Sequence, residues 1–293
     1  MISEHAIIHA TAVIAADASI GPGSIIGEGV VIGAGVQIGA YVDVAGPETI
    51  IGNRVHIGSG AIVGRDVQIG DGTTIGPRAV IQGPTVIGQD NKIFQFASVG
   101  DAPQDIHYQG EPTRLEIGDR NVVREFCMIS RGTVKGGGLT KIGNDNFFMA
   151  YVHVGHDCVV GNSVIMVNYS ALSGHVVVED FVNIGGYAAV HQFCHVGASA
   201  FIARATYVTK DVLPFVMIAG VNTSACGINT VGLRRRGFSS ETIDYIRRAY
   251  KIIFRRGLTV QQALAELELL QQDCPEIVSM MDVLNHSTRG IVR

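Results

Sequence analysis

The sequence predicts a mainly β chain: a parallel β-solenoid of hexapeptide repeats over residues 1–214, followed by a small α-helical domain over 215–293. Three observations predict it. In Phe148–Gly197, aliphatic residues fall at every sixth position: Val154, Val160, Met166, Leu172, Val178, Ile184, Val190 and Val196. Small or β-branched residues follow each by four, among them Cys158, Val164, Ser170, Val176, Val182, Ala188 and Cys194. Helices need a period near 3.6 and simple strands a period of 2, so a period of six points to short strands and turns stacked coil on coil. Composition agrees, with 37 glycines, 6% aromatics and no tryptophan, which suits a narrow core with many tight turns.

The hexads start at Ile8 and run through Ile14, Ile20, Ile26, Ile32, Ile38 and Val44. One residue is inserted near Glu48–Ile51, after which the register resumes at Ile51 and holds to Val99. Gly100–Glu116 breaks the period and is predicted as a loop. Hexads return at Ile117, Val123 and Ile129, break again at Arg131–Lys141 with its three successive glycines, and then run from Ile142 to Val208. Three hexads make one 18-residue triangle, so about ten coils stack at strand spacing, ~4.8 Å. Glycine often follows the inward aliphatic, as at Gly21, Gly27 and Gly33, where backbone freedom is expected to serve a corner.

The repeat is predicted to end near Asp211–Pro214. GFSSETIDYIRRAYKIIFRRG reads as a helix capped by Ser239 or Ser240, with Glu241 in its first turn and Gly257 at its end. Thr259 with Gln262 forms a capping-box pattern that opens a second helix through Leu264, Leu267 and Leu270. Pro275 opens a third through Ile277, Met280, Met281 and Leu284. This domain is expected to cover the open edge of the last coil.

Net charge is −4, so the chain as a whole does not advertise nucleic-acid binding. Residues 231–293 hold 10 basic and 7 acidic side chains, a local +3. Arg247, Arg248, Arg255 and Arg256 crowd two faces of one predicted helix and suit an acidic partner. An ordinary solvated helix surface explains the same charges. The five cysteines are odd in number and lack a CxxC, so they read as small hydrophobes in a reducing compartment. The N-terminus has no basic segment before an apolar run, and no apolar run approaches ~18 residues, so a cytoplasmic protein is expected.

Into the regular stretch are set His153, His156, Asp157, His175, His191 and Gln192. Subtracting 18 stacks Gly174 and Gln192 over His156, and His175 and Phe193 over Asp157. The polar set therefore shares one edge of the prism, within ~10 Å. A bare scaffold does not need four histidines there. A neutral imidazole can take a proton from a hydroxyl, a carboxylate beside it can orient the ring, and Gly174 leaves its N–H approachable for an oxyanion. Asp157 also reads as a turn carboxylate that satisfies backbone amides. His153, His156 and His175 could instead offer three imidazoles to zinc, but no consistent ligand spacing supports that.

The motifs QDIHYQGEPTRLEIGDRN (104–121), RGTVKGGGLTKIG (131–143), HVGHDC (153–158), SGHV (173–176), GGYAAVHQFCHVGA (185–198), GINTVGLRRRGFS (227–239) and STRGIVR (287–293) resemble those of the UDP-N-acetylglucosamine O-acyltransferases, which begin lipid A synthesis. The resemblance covers nearly the whole chain. It implies a left-handed β-helix, a homotrimer with sites between neighbouring prisms, and acyl transfer from acyl carrier protein to the 3-hydroxyl of UDP-N-acetylglucosamine, with no cofactor and no metal. It also implies roles for single residues. His156 becomes the general base, Asp157 its partner and Gly174 the oxyanion donor. Gln104, Asp105 and His107 fall in the sugar-contacting loop, and His153, His175, His191 and Gln192 line the substrate. Asn229, Arg235 and Arg236 lie near the nucleotide, while Phe201 and Arg204 limit acyl length on a wall rising from the histidine edge.

The chain departs from the family pattern in places. His107 stands where lysine is usual, Ser130 where histidine is usual, Arg204 where the residue is small, and Val231 where it is acidic. The N-terminal repeat region is longer by more than one coil. These changes leave open an N-acyltransferase on a UDP-amino sugar. A zinc hydratase and a solenoid without turnover are the remaining alternatives.

Overall fold

The computed structural model describes all 293 residues. Its strands, mostly two residues long, assemble into three sheets of eleven, ten and twelve strands, parallel throughout except for the last strand of the third. The first sheet includes Ile7–Ile8, His153–Val154, Ala171–Leu172 and Ala189–Val190; the second, Val13–Ile14, Val159–Val160, Val177–Val178 and His195–Val196; the third, Ser19–Ile20, Asn183–Ile184 and Phe201–Ile202. The chain visits them in rotation as a left-handed parallel β-helix, and the ten strands of the shortest sheet mark ten closed triangles. Pairing joins residues one coil apart, such as His153 with Ala171 and Val154 with Leu172. From Ile20 onward every sixth aliphatic points inward and is buried, whereas Ile8 and Ile14 in the first, uncovered coil are exposed and half-buried; Cys127, Cys158 and Cys194 fill small inward positions. The extra residue before Ile51 appears as Val31 pairing with Ile50 instead of residue 49.

The corner glycines have a different cause from the one expected. Gly21 keeps an ordinary φ, but a Cβ on it would fall 2.6 Å from the backbone of Gly39 in the next coil. Close approach between coils, not backbone freedom, selects it. The left-handed corner conformation is instead adopted by residues such as Asp157 (φ 61), His175 (φ 61) and Phe193 (φ 63). The same conformation recurs at corners along the whole solenoid, at glycines such as Gly23, Gly29 and Gly35 and at residues such as Tyr41, Arg54 and Arg78, so it belongs to the coil and does not single out the histidine corner.

Both interruptions of the period leave the solenoid at the corner between the first and second sheets. Their final residues are not loop, however: Arg114–Ile117 and Leu139–Ile142 are paired strands of the second sheet. Beyond residue 214 the third sheet continues through Val216–Ala219, which pairs with Phe201–Ile202, and then through the antiparallel strand Ser224–Ile228. Helices begin only at α1, Thr230–Arg235, followed by α2 (Ser240–Arg255), α3 (Val260–Leu270) and α4 (Ile277–His286). Ser239 caps α2 and the Thr259–Gln262 capping box opens α3, as the sequence predicts. The helical part closes the end of the solenoid: Tyr250 Oη donates to Ala225 O, and Ile243, Ile246 and Ala249 join the single continuous core. No helix is long and apolar enough to cross a membrane.

Candidate active site

The corner between the first and second sheets carries His156 and Asp157 in one coil, Gly174 and His175 in the next, and Gln192 and Phe193 in the third. His156 Nδ1 lies 2.8 Å from Asp157 Oδ2, and the Asp157 side chain is 1% exposed. A carboxylate accepts, so Nδ1 carries the proton and Nε2 is left as an acceptor. His175 Nε2 stands 3.6 Å from the same oxygen, and the two imidazoles meet edge to face at 5.2 Å. Burial holds His175 below the ordinary histidine range against the pull of Asp157. His153 is also lowered, by burial and by the charge of His156.

Gly174 is required sterically. A Cβ there would fall 2.5 Å from His156 Cε1 and 2.8 Å from Nε2. Its N–H donates to no protein acceptor, whereas the next N–H, of His175, is bonded to His156 O. An unpaired N–H beside a bare imidazole nitrogen can meet the negative charge that develops when a hydroxyl attacks a carbonyl.

The second loop holds Asp157, which the sequence does not reveal. Thr133 donates to both carboxylate oxygens, from N–H at 2.8 Å and from Oγ1 at 2.7 Å. Thr140 Oγ1 accepts the Asp157 N–H at 2.8 Å. Gly136, the first of the three glycines, packs so tightly on the carboxylate that any Cβ would overlap it. The glycine run was the available signal. His156, Asp157 and His175 offer ligand atoms within 4.8 Å of one another, and His153 is not among them. Both Asp157 oxygens are already committed to Thr133 and His156, which fits an oriented base better than a metal ligand.

The first loop is pinned over this corner by Arg131, whose guanidinium donates to Gly83 O, Gly100 O and Tyr108 Oη. Gln104 is exposed and reaches Met128 Sδ at 3.0 Å. The Asp105 carboxylate accepts the His107 N–H, which holds it below the usual carboxylate range; the charges of His107, His156 and Lys135 add to this. His107 is exposed at the loop surface. His191 is half-buried at the far end of the histidine corner, beside exposed Gln192.

Phe201 and Arg204 depart from expectation. Phe201 lies in the third sheet, and Arg204 on the corner between the third and first sheets, so neither rises from the histidine edge of its own prism. Their register holds: Phe201 pairs with Asn183, and Ala205 N–H bonds Gly186 O. Asn229 is buried and structural, accepting Gly232 N–H to cap α1 and donating to Ser199 O. Arg236 lies flat over Phe181 at 3.6 Å and bonds Ser199 Oγ, which places it against the solenoid. Arg235 is exposed as well.

Comparison with solved structures decides the family. LpxA from Acinetobacter baumannii is 41% identical over 100% of this chain and 99% of that one, with a TM-score of 0.77. The chain belongs to the UDP-N-acetylglucosamine O-acyltransferase family. The Moraxella catarrhalis member of that family is 38% identical, over 100% and 99% of the two chains, with a TM-score of 0.79. The UDP-N-acetylglucosamine acyltransferase of Arabidopsis is 34% identical over 100% of both chains, with a TM-score of 0.77. The family described as Udp N-acetylglucosamine O-acyltransferase, Domain 2, matches residues 211–292, which include the four helices. The bacterial transferase hexapeptide family (six repeats) matches 139–174, and the GMPPB C-terminal domain family matches 2–95. As a member of the UDP-N-acetylglucosamine O-acyltransferase family, the protein is an acyltransferase of the lipid A pathway.

Proposed function

We propose that the His156 corner carries out the transfer and that acyl carrier protein supplies the acyl group. His156 Nε2 takes the proton of the sugar 3-hydroxyl as that oxygen attacks the thioester carbonyl. Asp157 keeps the ring oriented and stabilises the imidazolium without itself accepting the proton. The oxyanion of the tetrahedral intermediate accepts the Gly174 N–H. Collapse breaks the carbon–sulfur bond, and the departing thiolate takes the proton from His156. The observation that carries this reading is the 2.8 Å contact between His156 Nδ1 and a buried carboxylate held by Thr133. On this reading Gln104, Asp105, His107, His153, His175, His191 and Gln192 line the sugar and acyl groups, and Arg235 reaches the nucleotide.

The site is proposed to be completed by neighbouring copies in a homotrimer. Phe201 and Arg204 sit away from His156 within one prism, so they act on the acyl chain only if another copy's histidine corner lies against them. The decisive assay measures product from acyl carrier proteins of several chain lengths, with UDP-N-acetylglucosamine and with its 3-amino analogue. Transfer to the hydroxyl substrate supports the reading. Transfer to the amine alone favours N-acylation, and no transfer to either sinks both. Light scattering that shows a stable monomer at micromolar concentration would count against the shared site.

A further inference from the structure

The C-terminal run folds back over the far end of the histidine corner. Buried Asp211 holds it there: Ser287 Oγ donates to Asp211 Oδ2 at 2.6 Å, Asp211 N–H to Gly290 O at 3.0 Å, and Val292 N–H to Asp211 O at 2.9 Å. Asp211 Oδ1 accepts the His195 N–H, which ties the strap to the solenoid. Ile291 and Val292 are buried, so the run is a fixed part of the fold. The strap delivers one side chain to the corner. Arg289 donates to Thr209 O from Nε and Nη2, and its Nη2 stands 3.3 Å from His191 Nδ1.

His191 Nδ1 also lies 3.2 Å from Gln192 O. The two neighbours make opposite demands on it. A carbonyl oxygen only accepts, so Gln192 O calls for a proton on Nδ1. A guanidinium only donates and does not lose its charge, so Arg289 calls for a bare Nδ1. One nitrogen cannot meet both demands. A hydrogen bond from a charged donor is roughly twice as strong as a neutral one. A protonated Nδ1 facing the guanidinium would also be repelled. The Tyr207 ring stands edge-on 6.3 Å from His191 and leaves this choice to Arg289.

We infer that Arg289 is a positioning residue: it selects the His191 tautomer with Nδ1 bare and the proton on Nε2, so that His191 presents a hydrogen-bond donor to an oxygen of the bound substrate. This rests on the reading above that His191 lines the substrate. The test compares Arg289→Met, which keeps length but removes the donor and the charge, with Arg289→Lys, which keeps both. Long-range proton–nitrogen NMR of histidine-labelled full-length protein reads the tautomer, with His191→Gln identifying the signal. Wild type and Arg289→Lys are expected to carry Nε2–H, and Arg289→Met to switch to Nδ1–H. KM for UDP-N-acetylglucosamine should rise about tenfold in Arg289→Met with a smaller change in kcat, as for loss of one hydrogen bond. That rise should vanish in the His191→Gln background. Nδ1–H in wild type, an unchanged tautomer in Arg289→Met, or a switch without a kinetic change would each overturn the inference. Wild-type turnover of UDP-N-acetylglucosamine is the separate readout of the functional reading.

Discussion

Gly136 lies against the Asp157 carboxylate, in the same loop turn whose Thr133 donates twice to that carboxylate. The loop that breaks the hexad period is therefore the clamp that fixes the orienting acid. Gly136→Ala should displace Asp157 and loosen its 2.8 Å contact with His156. Losing an orienting carboxylate altogether can cost about 10⁴-fold in kcat. We expect a partial loss of about 10²-fold, with KM for the sugar little changed. Wild-type kcat in a purified Gly136→Ala enzyme would mean that the clamp has no catalytic role.

His156→Ala should abolish measurable turnover while the protein stays folded. The residue sits at a corner, outside the core that the aliphatic hexads fill. Removing a general base typically costs about 10²–10⁴-fold. Circular dichroism and a melting curve like those of wild type, beside near-normal kcat, would refute the assignment of the base.

A second histidine pair sits near the C-terminal strap, with His195 Nε2 2.8 Å from Glu179 Oε1. The Glu179 hydrogen bond raises His195 above its ordinary range. Burial pushes Glu179 up, but hydrogen bonds from His195 and the Ala198 N–H outweigh it and leave Glu179 lowered. The His195 contribution to stability is present below the unfolded value, ~6.5, and fades as pH rises through the folded value. The Glu179 contribution is present above its unfolded value, ~4.3, and fades as pH falls through the folded one. The pair therefore stabilises most in mildly acidic solution. His195→Gln should lower Tm more near pH ~6 than near pH ~9, relative to wild type at each pH. Equal losses at both would show that the pair's charge contributes nothing.

The three arginines of α2 and Arg256 at its C-cap are not equivalent. Arg247 pairs with Asp244 and Arg256 with Glu266, while Arg255 donates to Tyr250 Oη and Ala225 O. Arg248, beside the Tyr245 ring, has no carboxylate partner, and with Lys251 it lines a cleft of about 640 Å³ between α2 and α3. These two cations are the better docking charges for an acidic carrier protein. The double variant Arg248→Ala, Lys251→Ala should raise KM for the acyl carrier protein and leave KM for the UDP-sugar in place. The effect should shrink as salt shortens the Debye length from ~8 Å at physiological strength. A matching rise for both substrates would indicate a folding defect.

The solenoid was legible in the sequence because an inward position recurs every six residues and tolerates only apolar side chains there. The histidine corner was legible by subtraction, since 18 residues return the chain to the same corner. Contacts across an interruption were not: Thr133 and Gly136 reach Asp157 through a loop whose length obeys no period. The hairpin Val216–Ile228 was missed for the same reason, having left the hexad pattern. The cap that the buried Asn229 side chain makes on α1 was not legible in its motif. The edge that Arg204 occupies follows from its place within the coil, not from the number of coils above His156. Arg204 follows Gln192 by 12 residues, two thirds of a coil, and so lands on a different edge.

That displacement sharpens what Arg204 can do. Its side chain is exposed on the corner between the third and first sheets, one residue before Ala205, which takes the next place in the exposed ladder Phe96, Phe126, Tyr151, Tyr169 and Tyr187. If a neighbouring prism lays its histidine corner along this edge, a guanidinium there meets the acyl chain some distance from the thioester. Each methylene kept out of an apolar groove forgoes about 0.8 kcal/mol, so a few methylenes decide selectivity. Arginine can also turn its head to solvent and leave the groove apolar, with its own stem as part of the wall. The first case predicts a preference for shorter acyl chains than the long 3-hydroxyacyl groups implied by the family resemblance, and Arg204→Gly should then move the optimum to longer chains. The measurement is kcat/KM across acyl-carrier-protein chain lengths for wild type and Arg204→Gly, with trimer formation checked for both. An optimum that does not move in an intact trimer would remove Arg204 as the length-setting residue.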